Sequence, residues 1–78
     1  MRTSLKGLFD IKLIKLFDRA AEDDDRHLAK TVVSELAFRH NDSFEDQLRY
    51  LGKRAVKREN YLSFMMVAKL WRDRKGDE

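Results

Sequence analysis

Tyr61-Leu-Ser-Phe-Met-Met-Val-Ala-Lys-Leu-Trp71 carries apolar side chains on both sides of any helix it forms. At a helical advance of about 100° per residue, Tyr61, Phe64, Ala68 and Trp71 share one side, with Met65 at its edge. Leu62, Met66 and Leu70 form a second stripe nearly opposite, and Val67 lies between the two. A helix that is apolar all round must be covered all round. A chain of 78 residues has few elements with which to surround one of its own helices. The segment is therefore either the central helix of a bundle or a helix with one face covered by another chain. The second arrangement is the expectation. It presents Leu62, Met66 and Leu70, or Phe64 and Trp71, to a partner, and aromatic residues and methionine are enriched at interface cores.

Upstream of this segment, Phe44, Leu48, Leu51 and Ala55 form a narrow apolar stripe on a third helix, at about residues 44–58. Gly52 weakens that helix by about 1 kcal/mol relative to alanine, and in a bundle the usual reason for such a glycine is close approach of another helix. Between Ala55 and Leu62 the chain is charged but holds no breaker. The stripe can run on through Glu59 to Leu62, Met66 and Leu70, so one long or bent helix from about Phe44 to Arg74 is expected. If the helix breaks, Asn60 is the cap and a fourth helix covers about residues 60–74.

The first half reads as a helical hairpin. Leu5, Leu8, Phe9, Leu13, Leu16, Phe17 and Ala20 recur at three- and four-residue steps, which places helix 1 at about residues 4–21 with Ser4 as its cap. Gly7 argues for a later start, at Leu8. Glu22-Asp23-Asp24-Asp25 interrupts the pattern and supplies carboxylates to the positive end of helix 2, at about residues 26–39. Leu28, Ala29, Val32, Val33 and Leu36 are its inner stripe; Phe38 points away and is expected to pack under the following loop. The fold class is all-α: a small bundle of three to four helices in a single domain spanning residues 1–78.

Composition narrows the chemistry. Forty per cent of residues are charged, 42% are hydrophobic, and there is no proline or cysteine. That hydrophobic content is too high for a disordered chain, and the lack of cysteine excludes disulfides and thiolate metal sites. The net charge of +3 is unevenly spread. From Met1 to Leu48 there are eight basic and ten acidic residues; from Arg49 to Glu78 there are nine basic and four acidic. The cationic second half is compatible with nucleic acid or an acidic protein surface. Asp10, Lys12, Lys15 and Asp18 interrupt the N-terminal apolar residues, which argues against a secretory leader and against a membrane span. A cytoplasmic location is the expectation.

No catalytic or cofactor pattern emerges. Read as a calcium loop from Asp23, the acidic run would need glycine at position six and glutamate at position twelve, where the chain has Leu28 and Ser34. His27 and His40 are thirteen apart, without the spacing of a helical metal pair. Ser34, Ser43 and Ser63 have no histidine at a motif-defining spacing, and no glycine-rich phosphate loop is present. Neither a cofactor nor a metal is expected. Arg49, Lys53 and Lys57 lie at i, i+4, i+8 opposite the apolar stripe of helix 3, with Arg54 and Arg58 beside them. Such a surface can track phosphates, although an ordinary solvated face has the same composition.

The sequence thus leads to a small non-enzymatic regulatory or adaptor protein that binds another protein and forms a homodimer through its C-terminal helix. The alternative is a nucleic-acid-binding helical protein using Arg49, Lys53, Arg54, Lys57 and Arg58.

Overall fold

Three turns, each pivoting on a non-glycine residue with left-handed backbone, divide the chain into four helices. A computed structural model describes residues 5–41 and 43–76. The helices are α1 (Asp10–Glu22), α2 (Arg26–Arg39), α3 (Phe44–Lys57) and α4 (Tyr61–Gly76), and the described residues contain no strand. The pivots are Asp24, Asn41 and Glu59, with φ of 53°, 70° and 55°.

The α1–α2 and α3–α4 turns share one construction. At the first, the Asp25 N–H donates to Ala20 O and the Asp24 N–H to Ala21 O; at the second, the Asn60 N–H donates to Ala55 O and the Glu59 N–H to Val56 O. Both are the paired bonds of a Schellman ending. In each case the next residue starts the following helix. Asp25 Oδ1 accepts from the Leu28 N–H at 3.1 Å, and Asn60 Oδ1 accepts from the Ser63 N–H at 3.1 Å. One residue therefore closes one helix with its backbone N–H and caps the next with its side chain, and the structure is a pair of similar helical hairpins.

The single long helix expected from residues 44–74 does not form, and the break falls at the anticipated cap, Asn60. Placing Glu59 in the left-handed region costs on the order of 1–2 kcal/mol. Folding back compensates, because it lets α4 bury Ser63, Met66, Val67 and Leu70, and α4 packs on each of the other three helices. A straight helix would leave that stripe in water.

Helix 1 also departs from expectation, starting at Asp10 rather than near residue 4. Ser4 lies outside the described residues. Residues 5–9 instead form a strap whose first two carbonyls accept from α2: Arg39 Nη2 donates to Leu5 O at 2.8 Å and to Lys6 O at 3.1 Å. Leu5 inserts into the core, and Gly7 adds to the cost of a helix there.

The core is aliphatic, with one aromatic ring at its centre. Leu13 and Phe17 from α1 meet Val32, Val33 and Leu36 from α2; Leu48 and Leu51 from α3 meet Met66 and Leu70 from α4. One polar triad crosses it. Asp18 accepts from Ser63 Oγ at 2.9 Å and from Arg54 Nη1 at 3.2 Å, which ties α1, α3 and α4 together around the buried serine. Phe38, expected under the loop after α2, is 71% exposed instead, because Leu36 and Ala37 take the inward positions at this end of the helix.

Candidate functional site: a groove between α3 and α4

The antiparallel hairpin of α3 and α4 leaves an open groove of about 720 Å³ on the side away from α1 and α2. Its floor is made by Leu48 and Val56 from α3 and by Phe64, Val67, Ala68 and Trp71 from α4. Val56 stands 62% exposed and Phe64 44% exposed, so apolar surface at the groove is open to water. A smaller recess of about 210 Å³, also touching Val56 and Phe64, continues to Asn60 and Tyr61 at the turn.

Gly52 lines the floor. A Cβ at this position would lie 3.4 Å from Val67 Cγ1, which is ordinary van der Waals contact. Val67 of α4 packs against α3 here at a distance that an alanine would also fit, so the contact is not the glycine-requiring close approach expected for this residue.

The rim is cationic. Arg49, Lys53 and Lys57 stand along one edge at a spacing of one helical turn, and Arg72 stands on the other. Among the described residues, no carboxylate lies within salt-bridge distance of Lys53, Lys57 or Arg72. Arg49 has an exposed neighbour in Asp46 at 3.7 Å, a weak surface contact. Of the other cations on α4, Lys69 donates to Asp24 at 2.9 Å, Arg74 stacks 4.9 Å from the centre of the Phe44 ring, and Lys75 lies 5.5 Å from the centre of the Trp71 ring.

The two sets of residues singled out from the sequence fall partly together here. Phe64 and Trp71 contribute to the floor, and Arg49, Lys53 and Lys57 to the rim. Five others go elsewhere. Met66 and Leu70, 2% and 3% exposed, are interior to the bundle, which corrects their placement at an interface: they lie on the side of α4 that folding back turns toward α1 and α2. Arg54 is not an open phosphate contact, because its guanidinium is mostly covered and holds Asp18. Leu62 and Arg58 are exposed but outside the groove. The sequence reading missed Val56 and Arg72. Val56 had a signal, being an apolar residue set between Lys53-Arg54 and Lys57-Arg58 on a surface otherwise read as solvated.

A second polar cluster lies near the start of α1. His40 Nε2 is 2.9 Å from Asp10 Oδ2, and Arg39 Nη1 donates to Asp10 Oδ1 at 3.0 Å. These hydrogen bonds, the histidine's first, hold the Asp10 carboxyl below its ordinary value of 3.8. Arg39 also donates to Glu35 at 2.9 Å, and this contact raises the guanidinium further above its ordinary value. The cluster fastens the N-terminal strap to α2, so its evident role is structural.

Among the described residues, no group of three or more histidine, aspartate or glutamate side chains is placed to hold a metal ion, and no helix is long and apolar enough to cross a membrane. No protein-family model, curated protein or solved structure matches the chain.

Proposed function

We propose that this protein is a small binding module that receives a segment of another protein in the α3–α4 groove. The observation that carries this reading is an apolar trough, floored by Val56, Phe64 and Trp71 and open along the hairpin, in a chain whose α4 is covered on its other side by its own bundle. Exposed contiguous apolar surface bordered by polar residues is the usual mark of an interaction site. An apolar trough between two packed helices is also a surface that takes an amphipathic helix. The segment Tyr61–Trp71 then acts on both faces, holding the bundle through Met66 and Leu70 and the partner through Phe64 and Trp71.

Nucleic acid is the competing occupant, since Arg49, Lys53, Lys57 and Arg72 surround two aromatic rings. The aliphatic floor weighs against it: Leu48, Val56, Val67 and Ala68 offer neither stacking planes nor hydrogen-bond donors.

The test is a photo-crosslinking amino acid placed at position 56, with a control at the exposed position 31 on α2, expressed in cells. A protein adduct formed from position 56 and not from 31 is the expected result. A nuclease-sensitive adduct, or equal adducts from both positions, would refute the assignment.

A further inference from the structure

We infer that the occupant of this groove is an acidic amphipathic helix of a different protein, rather than a second copy of this chain. The inference rests on the protein-binding reading above and adds the chemistry of the partner.

Length comes first. The groove is lined by α3 from Leu48 to Lys57 and by α4 from Phe64 to Arg72, so it runs for about 13 Å, which matches a partner helix of two to three turns. Such a helix presents apolar residues at i, i+3, i+4 and i+7. Val56, Phe64 and Trp71 provide the surfaces between which those side chains settle.

Charge decides between partners. Arg49, Lys53 and Lys57 line one lip and Arg72 the other, with no described carboxylate countering the last three. A helix lying in the trough brings the residues flanking its apolar stripe to both lips. Glutamate or aspartate there meets these cations; lysine or arginine there is repelled. In a symmetric dimer built on this groove, each copy presents the same patch to the other. The four cations of one chain would then face the four of its twin. Much of this chain's own acidic run is used within the fold: Asp24 pairs with Lys69 and Asp25 caps α2, while Asp23 makes only an exposed contact with Arg19 at 3.5 Å and Glu22 has no ion-pair partner among the described residues. The homodimer expected from the sequence is thus disfavoured at this surface by the charges around it.

The experiment is a display selection against the intact protein. The library consists of 18-residue helical peptides with a fixed apolar stripe and acidic, basic or neutral residues drawn at random in the flanking positions. Two variants are counter-targets, Val56→Asp for the floor and Lys53→Glu with Lys57→Glu for the rim. All three positions are exposed, and circular dichroism verifies that each variant is folded. The expected result is a set of net acidic binders whose affinity falls at least tenfold on each variant. Neutral or basic binders lost on Val56→Asp alone would overturn the acidic class while leaving the groove as the site. Binders indifferent to Val56→Asp, or no enrichment, would overturn both. Two further measurements address the other occupants. A dimer by light scattering that Val56→Asp converts to monomer would assign the groove to a second copy. A single-stranded oligonucleotide that binds more tightly than the selected peptides and is lost with the rim variant would assign it to nucleic acid.

Discussion

Leu70→Ala and Phe64→Ala, two truncations on opposite sides of α4, are predicted to separate widely in stability. Leu70 is 3% exposed within the core, and truncating a buried leucine costs about 2–5 kcal/mol through lost transfer energy and the cavity left behind. Phe64 is 44% exposed, so alanine there forfeits only part of a phenylalanine's burial, about 1 kcal/mol. With an unfolding entropy of about 2.1 cal/mol/K per residue, a chain of 78 residues shifts its Tm by about 6 °C for each kcal/mol. Thermal melts followed by circular dichroism should therefore place Leu70→Ala at least about 12 °C below the parent and Phe64→Ala within about 6 °C of it. The order matters more than the values. If Phe64→Ala were the more damaging change, α4 would be turned with its groove side inward, and the apolar trough between α3 and α4 would not exist. The same reasoning makes aspartate at position 66 or 70 an unfolding change rather than a probe of association.

Three further outcomes follow from the turns, the groove floor and the strap. Asn60→Ala removes the cap of α4 and should lower stability by about 1 kcal/mol, whereas Glu59→Gly relieves a left-handed backbone and should raise Tm; chemical denaturation of both variants would show opposite signs, and equal signs would contradict the turn geometry. Gly52→Ala, whose new Cβ meets Val67 at ordinary contact distance, should stabilise α3 by up to about 1 kcal/mol in the same assay, and a marked loss would mean the helices approach more closely than described. The depressed pKa of Asp10 means the folded state favours its carboxylate, so its contribution is present above the usual carboxylate range and lost as pH falls through the lowered value. The Tm gap between the parent and Asp10→Asn should accordingly be a few degrees near pH 5 and close toward about pH 2, a trend that a gap widening in acid would contradict.

The sequence carried the fold class and most helix faces because periodicity reports burial directly: Leu13 with Phe17, Val32 with Leu36, and Leu48 with Leu51 all point inward as their spacing required. It did not carry the α3–α4 break. Nothing between Ala55 and Leu62 breaks a helix locally, and the turn is favoured only by what α4 buries after it, through Met66 and Leu70. Asn60 marked the position without showing that it would be used. The two-sided apolar wheel of residues 61–71 was legible; the bundle covers the side of Met66 and Leu70 and leaves Tyr61 and Phe64 exposed. Which side the bundle covers was not legible, because Met66 and Trp71 are equally suited to a core, and only the direction of the fold-back chooses between them. For the same reason the basic face and the apolar segment read as two separate features. Their meeting at one groove depends on the hairpin that sets Lys53 and Val56 beside Phe64 and Trp71.

Trp71, the only tryptophan in the chain, lies in the groove and reports on its occupancy. The most direct measurement is its fluorescence during titration with a tryptophan-free acidic helical peptide from the selection, with quenching by acrylamide at each point. Binding in the groove predicts a blue-shifted emission and reduced quencher access, with saturation at one peptide per chain and no response in Val56→Asp. A peptide that binds by an independent measure while the emission and quenching of Trp71 stay unchanged would contradict the account.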